Sequence, residues 1–291
     1  MTELRKLVAA ELGEPVDPRV TALAEAIARR HGRASRALLF YGSCLRQKRL
    51  DGLMLDFYLI VSDYSAAYGK RWLTLANRLV PPNVFYFEKD GLAAKYAVLS
   101  ESDFERECGP DARSTSVVAR FAQPSRLVWS SSKAAADRMV RSISQCAPTL
   151  LCWTLPLLPK GTGALELWKQ AFSLTFATEL RAERKDRSAA IVEADEARYK
   201  RFGEAALAGQ CVGNRRARLR WWKRMRRKGK LLSVLRLAKA SATFAGGADY
   251  IAWKINRHAG TKIALKPWQR RFPLLAGLTL LPRLLKSGAV R

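Results

Sequence analysis

The chain has 291 residues, 48% of them hydrophobic, and a net charge of +27. This length and composition indicate a globular protein with one large domain or two small ones, and they fit no other compositional class. The charge is uneven, because the part from Cys211 onwards holds twenty-one bases and one acid, Asp249, and so accounts for +20 of the total. Such a tail predicts a polyanionic partner, either nucleic acid or an anionic membrane surface.

Helices and strands are mixed in the first part of the chain. Helical spacing of apolar residues predicts a helix that Gly32 ends, and the apolar runs 36–42 and 54–61 predict two strands, the second fully buried. Helical spacing returns at 65–80 and stops at Pro81 and Pro82. Strands are predicted over 83–88 and 95–100, joined by an Asp-Gly turn, and helices over 102–108 and 115–122. This order predicts an α/β or α+β fold, of which we expect the α+β class, with a sheet in a first domain, residues 1–131.

The pattern becomes almost wholly helical after residue 131. Helices are predicted over 132–147, ending before Pro148, over 163–183 and over 187–208. We therefore expect a small helical domain at 132–212 and a basic amphipathic C-terminal region at 213–291. In that region Trp221 and Trp222 suit either stacking on bases or a lipid headgroup layer.

The end of the basic region is strongly apolar. It is too short to span a bilayer and too apolar for an ordinary nucleic-acid arm, so we expect an interfacial membrane anchor. A helix packed on the protein's own core or on a second subunit is the alternative. The residues expected to enter the membrane are Phe272, Leu275, Leu278 and Leu281.

The cysteines and the N-terminus indicate a compartment. The five cysteines are scattered without a CxxC pair, so we expect reduced thiols, with neither a disulfide framework nor a zinc site. Acidic residues near the N-terminus argue against a signal or transit peptide. No stretch reaches about 18 uninterrupted apolar residues, so no transmembrane helix is expected. Together these features predict a peripheral protein on the cytoplasmic face of a membrane.

A Gly-Ser turn and a buried acid carry the main chemical signal. Gly42 lets the chain leave the first strand in a sharp turn, and backbone amides there, with the Ser43 hydroxyl, are suited to hold a phosphate. Asp56 lies in the next strand, where a carboxylate would hold Mg²⁺ against the same phosphates. The spacing matches the generic nucleotidyltransferase signature, although Met54 replaces its first acid. An ordinary turn beside a partly exposed strand acid is the alternative.

A series of segments resembles the mitochondrial-type phosphatidate cytidylyltransferase family, which makes CDP-diacylglycerol. "YGSCLRQ" is similar to that family's YGSxxxxQ, and "MLDFYLIV" to its MLDFxFxV strand, which also lacks the first acid. "VFYFE", "KYAVLS", "ARFAQP", "LLPKGTGALELWKQAFSLTFATELR" and "FAGGADYIAWKI" resemble further family segments in the same order. Gln123 replaces a family lysine, and the family's His-Tyr-Ser segment has no clear counterpart.

The resemblance implies a Mg²⁺-dependent reaction in which CTP and phosphatidic acid give CDP-diacylglycerol and pyrophosphate. It also implies a nucleotidyltransferase domain with a mixed sheet, a winged-helix-like helical domain and a C-terminus that binds an anionic membrane surface. In this interpretation Asp56 and Lys95 are catalytic, and the nucleotide is held by Gly42, Ser43, Lys95 and Arg120. Asp51 and Glu88 are candidate metal ligands beside Asp56, and Glu179 and Arg181 are candidate substrate contacts.

Structural roles remain open for several of these residues. Lys95 lies in an otherwise apolar strand, where an ammonium needs a partner, and that partner is either triphosphate or a structural acid. Arg120 could lie on a solvated helix face, and Glu179 and Arg181 could form only a helix ion pair. His31 and His258 are the only histidines and sit beside bases, so histidine chemistry is not expected.

Two other functions fit the same sequence. One is a nucleotidyltransferase acting on RNA, with the basic tail gripping nucleic acid. The other is a basic adaptor that keeps the fold without catalysis. Salt and lipid separate these possibilities, because RNA binding weakens steeply with salt and ignores vesicles.

Overall fold

The computed structural model describes residues 1–47, 50, 52–179, 187–208, 211 and 213–243. Within these ranges the helices are α1 (Glu3–Leu12), α2 (Pro18–Arg30), α3 (Ser43–Gln47), α4 (Tyr64–Ala67), α5 (Arg71–Leu79), α6 (Glu101–Cys108), α7 (Ser116–Phe121), α8 (Lys133–Ile143), α9 (Cys146–Thr154), α10 (Ala164–Phe176), α11 (Arg187–Glu193), α12 (Glu196–Leu207) and α13 (Arg215–Thr243). The strands are β1 (Ser35–Tyr41), β2 (Met54–Val61), β3 (Asn83–Lys89), β4 (Leu92–Ser100) and β5 (Ser125–Ser130).

The five strands form one mixed sheet in the order β3-β4-β2-β1-β5. β2 and β4 are parallel, whereas the other neighbouring pairs are antiparallel. The predicted mixed sheet and the α+β class are therefore confirmed. β5 was not predicted, although it pairs with β1 along most of its length.

Helices cover both faces of the sheet, and each face has its own core. α2 packs on one face through Val20, Leu23 and Ile27, which meet apolar residues of β1, β2 and β4. The opposite face joins a larger cluster that includes residues of α1, α7, α9, α10 and α12. Period-two alternation explains this division, because successive side chains of a strand point to opposite faces.

Among the described residues after 131 the predicted helical character is confirmed, with more breaks than the periodicity indicated. α8 ends before Pro148 as expected, but α9 already begins at Cys146 and contains that proline in its first turn. Proline is tolerated there because the first amides of a helix need no intrahelical partner. The stretch 187–208 also divides, since Asp195 caps α12 by accepting from the Arg198 amide.

α13 starts the basic region and packs on the rest of the protein. Trp222 is buried and donates from its indole nitrogen to the Trp153 carbonyl at 3.0 Å. The Trp221 ring lies 4.7 Å from the Trp153 ring. The expectation that these tryptophans meet bases or lipid headgroups is therefore wrong for Trp222, and Trp221 packs on the protein as well. The reason is tertiary: the apolar surface of α9 accommodates both rings.

The expectation of five reduced cysteines is also wrong, because Cys152 and Cys211 form a disulfide. They lie 59 residues apart, and the fold brings their Cα atoms to 5.1 Å. Sequence spacing does not report such a pairing, because it depends on how α13 docks beside α9. Cys44, Cys108 and Cys146 are free and buried.

None of the helices among the described residues combines the length and the apolar character needed to cross a membrane, as expected. α13 has the length, but it carries twelve bases and no acid.

Candidate nucleotide-binding site

The Gly42 turn closes directly against Asp56. β1 ends at Tyr41, Gly42 has a φ of +98°, and α3 begins at Ser43. A Cβ atom at Gly42 would lie 3.0 Å from Asp56 Oδ2. Glycine is therefore required here for two reasons, namely a backbone angle that other residues rarely adopt and the space beside a carboxylate.

Asp56 and Lys95 form the centre of the site. They are opposite each other in the register of the parallel strands β2 and β4, and Lys95 Nζ lies 3.0 Å from Asp56 Oδ1. Their side chains are 19% and 27% exposed. Asp56 is thus a shielded, paired carboxylate rather than a solvated strand residue. Of the two roles left open for Lys95, the structure shows an acid partner, and that acid is Asp56 itself.

Arg120 reaches the same end of the sheet from α7. Its guanidinium lies 5.2 Å from the Tyr41 ring centre and donates to the Tyr58 hydroxyl at 3.1 Å. Burial works to lower the pKa of Arg120, but the charges of Tyr41, Tyr58, Glu179 and Asp56 outweigh it and raise this pKa above the usual arginine value. Arg120 is therefore a half-buried permanent cation within electrostatic range of Asp56, and not a solvated helix residue.

Glu179 belongs to a polar cluster next to Arg120. The Ser116 hydroxyl donates to Glu179 Oε1 at 2.6 Å, and Arg236 donates from Nη1 to the same hydroxyl at 3.1 Å. Arg236 comes from α13 and also donates from Nε to the Pro81 carbonyl at 2.7 Å. Burial lowers the pKa of Arg236, opposed by the charge of Glu179 and reinforced by that of Arg120.

Sequence reasoning counted Arg236 only as one of many tail bases. A signal was present, because Arg236 is the one charged residue of the largely apolar stretch 231–238, as Lys95 is the one charged residue of its predicted strand. A base within an apolar stretch needs a partner inside the fold. Here the partners are a backbone carbonyl and the hydroxyl that also binds Glu179.

The other candidate metal ligands are not brought to Asp56 within the described ranges. Glu88 lies on β3, separated from β2 by β4, and its exposed carboxylate accepts from the Tyr86 hydroxyl at 2.5 Å. Asp51 and the candidate substrate residue Arg181 fall outside the described residues. No group of three or more His, Cys, Asp or Glu side chains that could hold a metal ion is found in the part of the chain that the structure describes.

Asp56 nevertheless fits Mg²⁺ as one of its ligands. Mg²⁺ commonly uses only one or two protein carboxylates, together with substrate phosphates and water. Asp56 Oδ2 faces Gly42, where any side chain would fill the space beside it. Lys95 binds the other oxygen, Oδ1, so the carboxylate presents one oxygen toward the turn.

The contacts of Cys44 and His31 are structural. The Cys44 thiol donates to the Met54 carbonyl at 3.5 Å, and burial, with the Asp56 charge adding, raises its pKa above the usual range. His31 bonds the Ala67 carbonyl and the Tyr96 hydroxyl, each at 3.1 Å. The bases next to His31 in the sequence predict a polar setting, and this prediction is wrong, because Tyr68, Phe85 and Tyr96 surround its ring. Burial lowers its pKa, which favours a neutral imidazole.

The expected membrane residues Phe272, Leu275, Leu278 and Leu281 lie outside the described residues, as does His258. A scan of the chain against models of protein families finds no match, and a search of the curated proteins finds no significant match either. The functional interpretation therefore depends on the side chains of the site and on the resemblance of the sequence motifs.

Proposed function

We propose that the protein is a phosphatidate cytidylyltransferase, which transfers CMP from CTP to phosphatidic acid and releases pyrophosphate. The observation that carries the proposal is the pairing of Asp56 and Lys95 at 3.0 Å, directly against the side-chain-free Gly42 turn. A carboxylate, a lysine and a glycine turn at one strand end provide a metal ligand, a phosphate counter-ion and backbone donors. The family resemblance of the segments that contain these residues supports the same reaction.

The sheet topology is compatible with the proposed nucleotidyltransferase fold. β1 and β2 are antiparallel neighbours joined through the Gly42 turn, and β4 adds Lys95 parallel to β2. We further propose that the helices after residue 131 form the winged-helix-like part that the resemblance implies.

In the proposed reaction a phosphate oxygen of phosphatidic acid attacks the α-phosphorus of CTP. The new P–O bond forms as the bond to pyrophosphate breaks, so that CDP-diacylglycerol and pyrophosphate account for all atoms without a protein-bound intermediate. Mg²⁺ held by Asp56 would supply charge neutralisation on the triphosphate. Lys95 and Arg120 are the cations of this chain placed to counter the remaining charge that develops on the phosphates.

Asp56 balances the charge of the Lys95 ammonium, so neither charge is left alone in a shielded site. A triphosphate offers Lys95 a second anion next to the first. Ser43 adds a hydroxyl at the start of α3, adjacent to the Gly42 turn.

The test is a transfer assay with the purified full chain. CTP labelled in its α-phosphate is offered with Mg²⁺ and phosphatidic acid, and label is measured in the organic extract. We expect label in the lipid fraction with CTP and far less with ATP or GTP labelled in the same way. No label in lipid under any lipid presentation would contradict the proposal.

The second candidate, transfer to RNA, is favoured by one observation. α13 exposes Arg215, Arg216, Arg220, Lys223, Arg224, Arg226, Arg227, Lys228 and Lys230. Such a face would bind a phosphate backbone. The same assay with RNA in place of lipid separates the two functions, because label would then enter the RNA and not the organic extract.

A further inference from the structure

Helix α5 directs Asn77 and Thr74 toward the rest of the protein, whereas three of its large apolar residues point outward. Asn77 is buried and donates to the Val98 carbonyl at 3.0 Å, and the Thr74 hydroxyl donates to the Tyr64 carbonyl at 3.2 Å. On the other side Trp72, Leu75 and Leu79 are 47%, 58% and 69% exposed. These two hydrogen bonds hold the orientation of α5, because a rotation that moved its exposed apolar side chains toward the core would break both.

A second exposed apolar stripe lies on α13. Leu231, Val234 and Leu235 are exposed at the i, i+3 and i+4 spacing of one helix face. The next residue, Arg236, donates to the Pro81 carbonyl, and Lys239 bonds the carbonyls of Val80 and Pro82. These carbonyls belong to the turn that follows Leu79, so both apolar stripes adjoin the same turn.

Bases border both stripes. α5 is flanked by exposed Lys70, Arg71 and Arg78, and α13 by the exposed bases up to Lys230. Neither helix contains an acid. Apolar side chains that include a tryptophan, bordered by bases only, match the interface of an anionic bilayer in both polarity and charge.

We propose that Trp72, Leu75 and Leu79 of α5, together with Leu231, Val234 and Leu235 of α13, form a docking face for anionic lipid membranes. The apolar side chains enter the boundary between headgroups and acyl chains, and the bases contact lipid phosphates. This face is distinct from the apolar segment near the C-terminus. The proposal stands on exposed residues and charge, and it does not require the cytidylyltransferase reaction.

The docking face is connected to the candidate site through Arg236. That side chain contacts the turn beside the docking face with Nε and the Ser116 hydroxyl with Nη1, and Ser116 binds Glu179. A membrane bound at the docking face would thus lie next to the polar cluster around Arg120.

The first test is vesicle flotation of the full chain. We compare the wild type with a variant that carries Trp72→Gln, Leu75→Gln and Leu79→Gln, on phosphatidylcholine vesicles with and without phosphatidylglycerol. We expect the variant to partition at least about tenfold more weakly onto the anionic vesicles, because three apolar side chains no longer enter the lipid. Leu219→Gln, at an exposed leucine of α13 outside the docking face, is the matched control and should not change binding.

The second test measures whether Trp72 enters the bilayer. Its result does not depend on whether another segment also binds lipid. Brominated lipids quench tryptophans that enter the bilayer, so Trp72→Phe should remove part of the quenching while keeping an apolar side chain. Trp129→Phe, at a half-buried tryptophan packed against the core, should leave the quenched fraction unchanged.

Four results would overturn the proposal. The first is unchanged partition of the triple variant while deletion of Leu265–Arg291 releases the chain, which would make the C-terminal segment the anchor. The second is equal quenching in Trp72→Phe and the wild type. The third is equal binding to neutral and anionic vesicles. A loss of dimerisation in the triple variant, with unchanged flotation, would assign the face to a second copy of the chain instead.

Discussion

Lys95 lies directly across from Asp56 on the neighbouring parallel strand, with Nζ and Oδ1 3.0 Å apart. Both side chains are largely shielded from water, so each charge depends on the other. Removing one charge has two effects, since it changes the chemistry of the site and leaves an unpaired charge in the sheet. The experiments on this pair must separate activity from stability.

Asp56→Asn should lower CMP transfer at least about 100-fold, the scale of losing one main electrostatic contact of a transition state. The amide keeps the size of the carboxylate but cannot serve Mg²⁺ as an anionic ligand. Initial rates with CTP and phosphatidic acid test this, and Asp137→Asn, the same change at an exposed position of α8, is the control. The double variant Asp56→Asn, Lys95→Met should recover stability but not activity. Near wild-type rates in Asp56→Asn would remove Asp56 from the catalytic site.

Lys95→Ala should raise the KM for CTP and lower kcat, because the triphosphate loses a counter-ion. Lys95→Arg should retain little of the wild-type activity, because a planar guanidinium does not replace a compact ammonium in a confined site. Steady-state kinetics over a CTP series measure both constants, and circular dichroism checks the fold. Unchanged CTP kinetics in a folded Lys95→Ala protein would limit Lys95 to a structural ion pair.

Gly42→Ala should reduce activity much more than Gly91→Ala. Both glycines have positive φ angles, +98° and +74°, so both substitutions strain the backbone. Only at Gly42 would the new Cβ lie 3.0 Å from Asp56 Oδ2, whereas nothing lies within 4 Å at Gly91. Transfer rates compared at equal folded fractions separate the effect of the close contact with Asp56 from the effect of backbone strain. Equal losses in the two variants would show that the space beside Asp56 does not matter.

Cys152→Ser should destabilise the protein by up to about 4 kcal/mol under oxidising conditions, from the chain-entropy scale for a loop of this length. The disulfide joins two residues that lie 59 positions apart in the sequence, so it strongly reduces the conformational freedom of the unfolded chain. Urea unfolding of both proteins with and without dithiothreitol measures the difference. Reduction should bring the wild type close to the variant while leaving the variant unchanged, and equal midpoints without reductant would contradict the disulfide.

Lys239 should make stability rise with pH above neutrality. Burial, with the Arg236 charge adding, lowers the pKa of Lys239 to about 7. An unfolded lysine keeps a pKa of roughly 10.4, so between these values the unfolded chain binds more protons than the folded one, and the free energy of unfolding increases with pH. Urea unfolding across this pH window should show that the free energy of unfolding rises more steeply with pH for the wild type than for Lys239→Met. Lys230→Met, at an exposed position of α13, should match the wild type.

The sequence by itself determined the elements whose residues carry a strong local pattern. β1 to β4 and α2 follow apolar periodicity, and the Gly42 turn and Asp56 follow residue chemistry that needs no tertiary information. Lys95 was identified because an ammonium in an apolar strand requires a partner. These signals predicted the α+β class and most of the candidate site.

The tertiary structure alone decided which residues meet across long separations. The choice of Asp56 as the partner of Lys95 depends on the parallel register of β2 with β4, which sequence spacing does not contain. The disulfide, the burial of Trp222 and the position of Arg236 all depend on how α13 docks. The outward direction of Trp72 depends on hydrogen bonds of Asn77 and Thr74 to distant backbone. Periodicity identifies an apolar helix face, but only packing decides whether that face meets the core or the solvent.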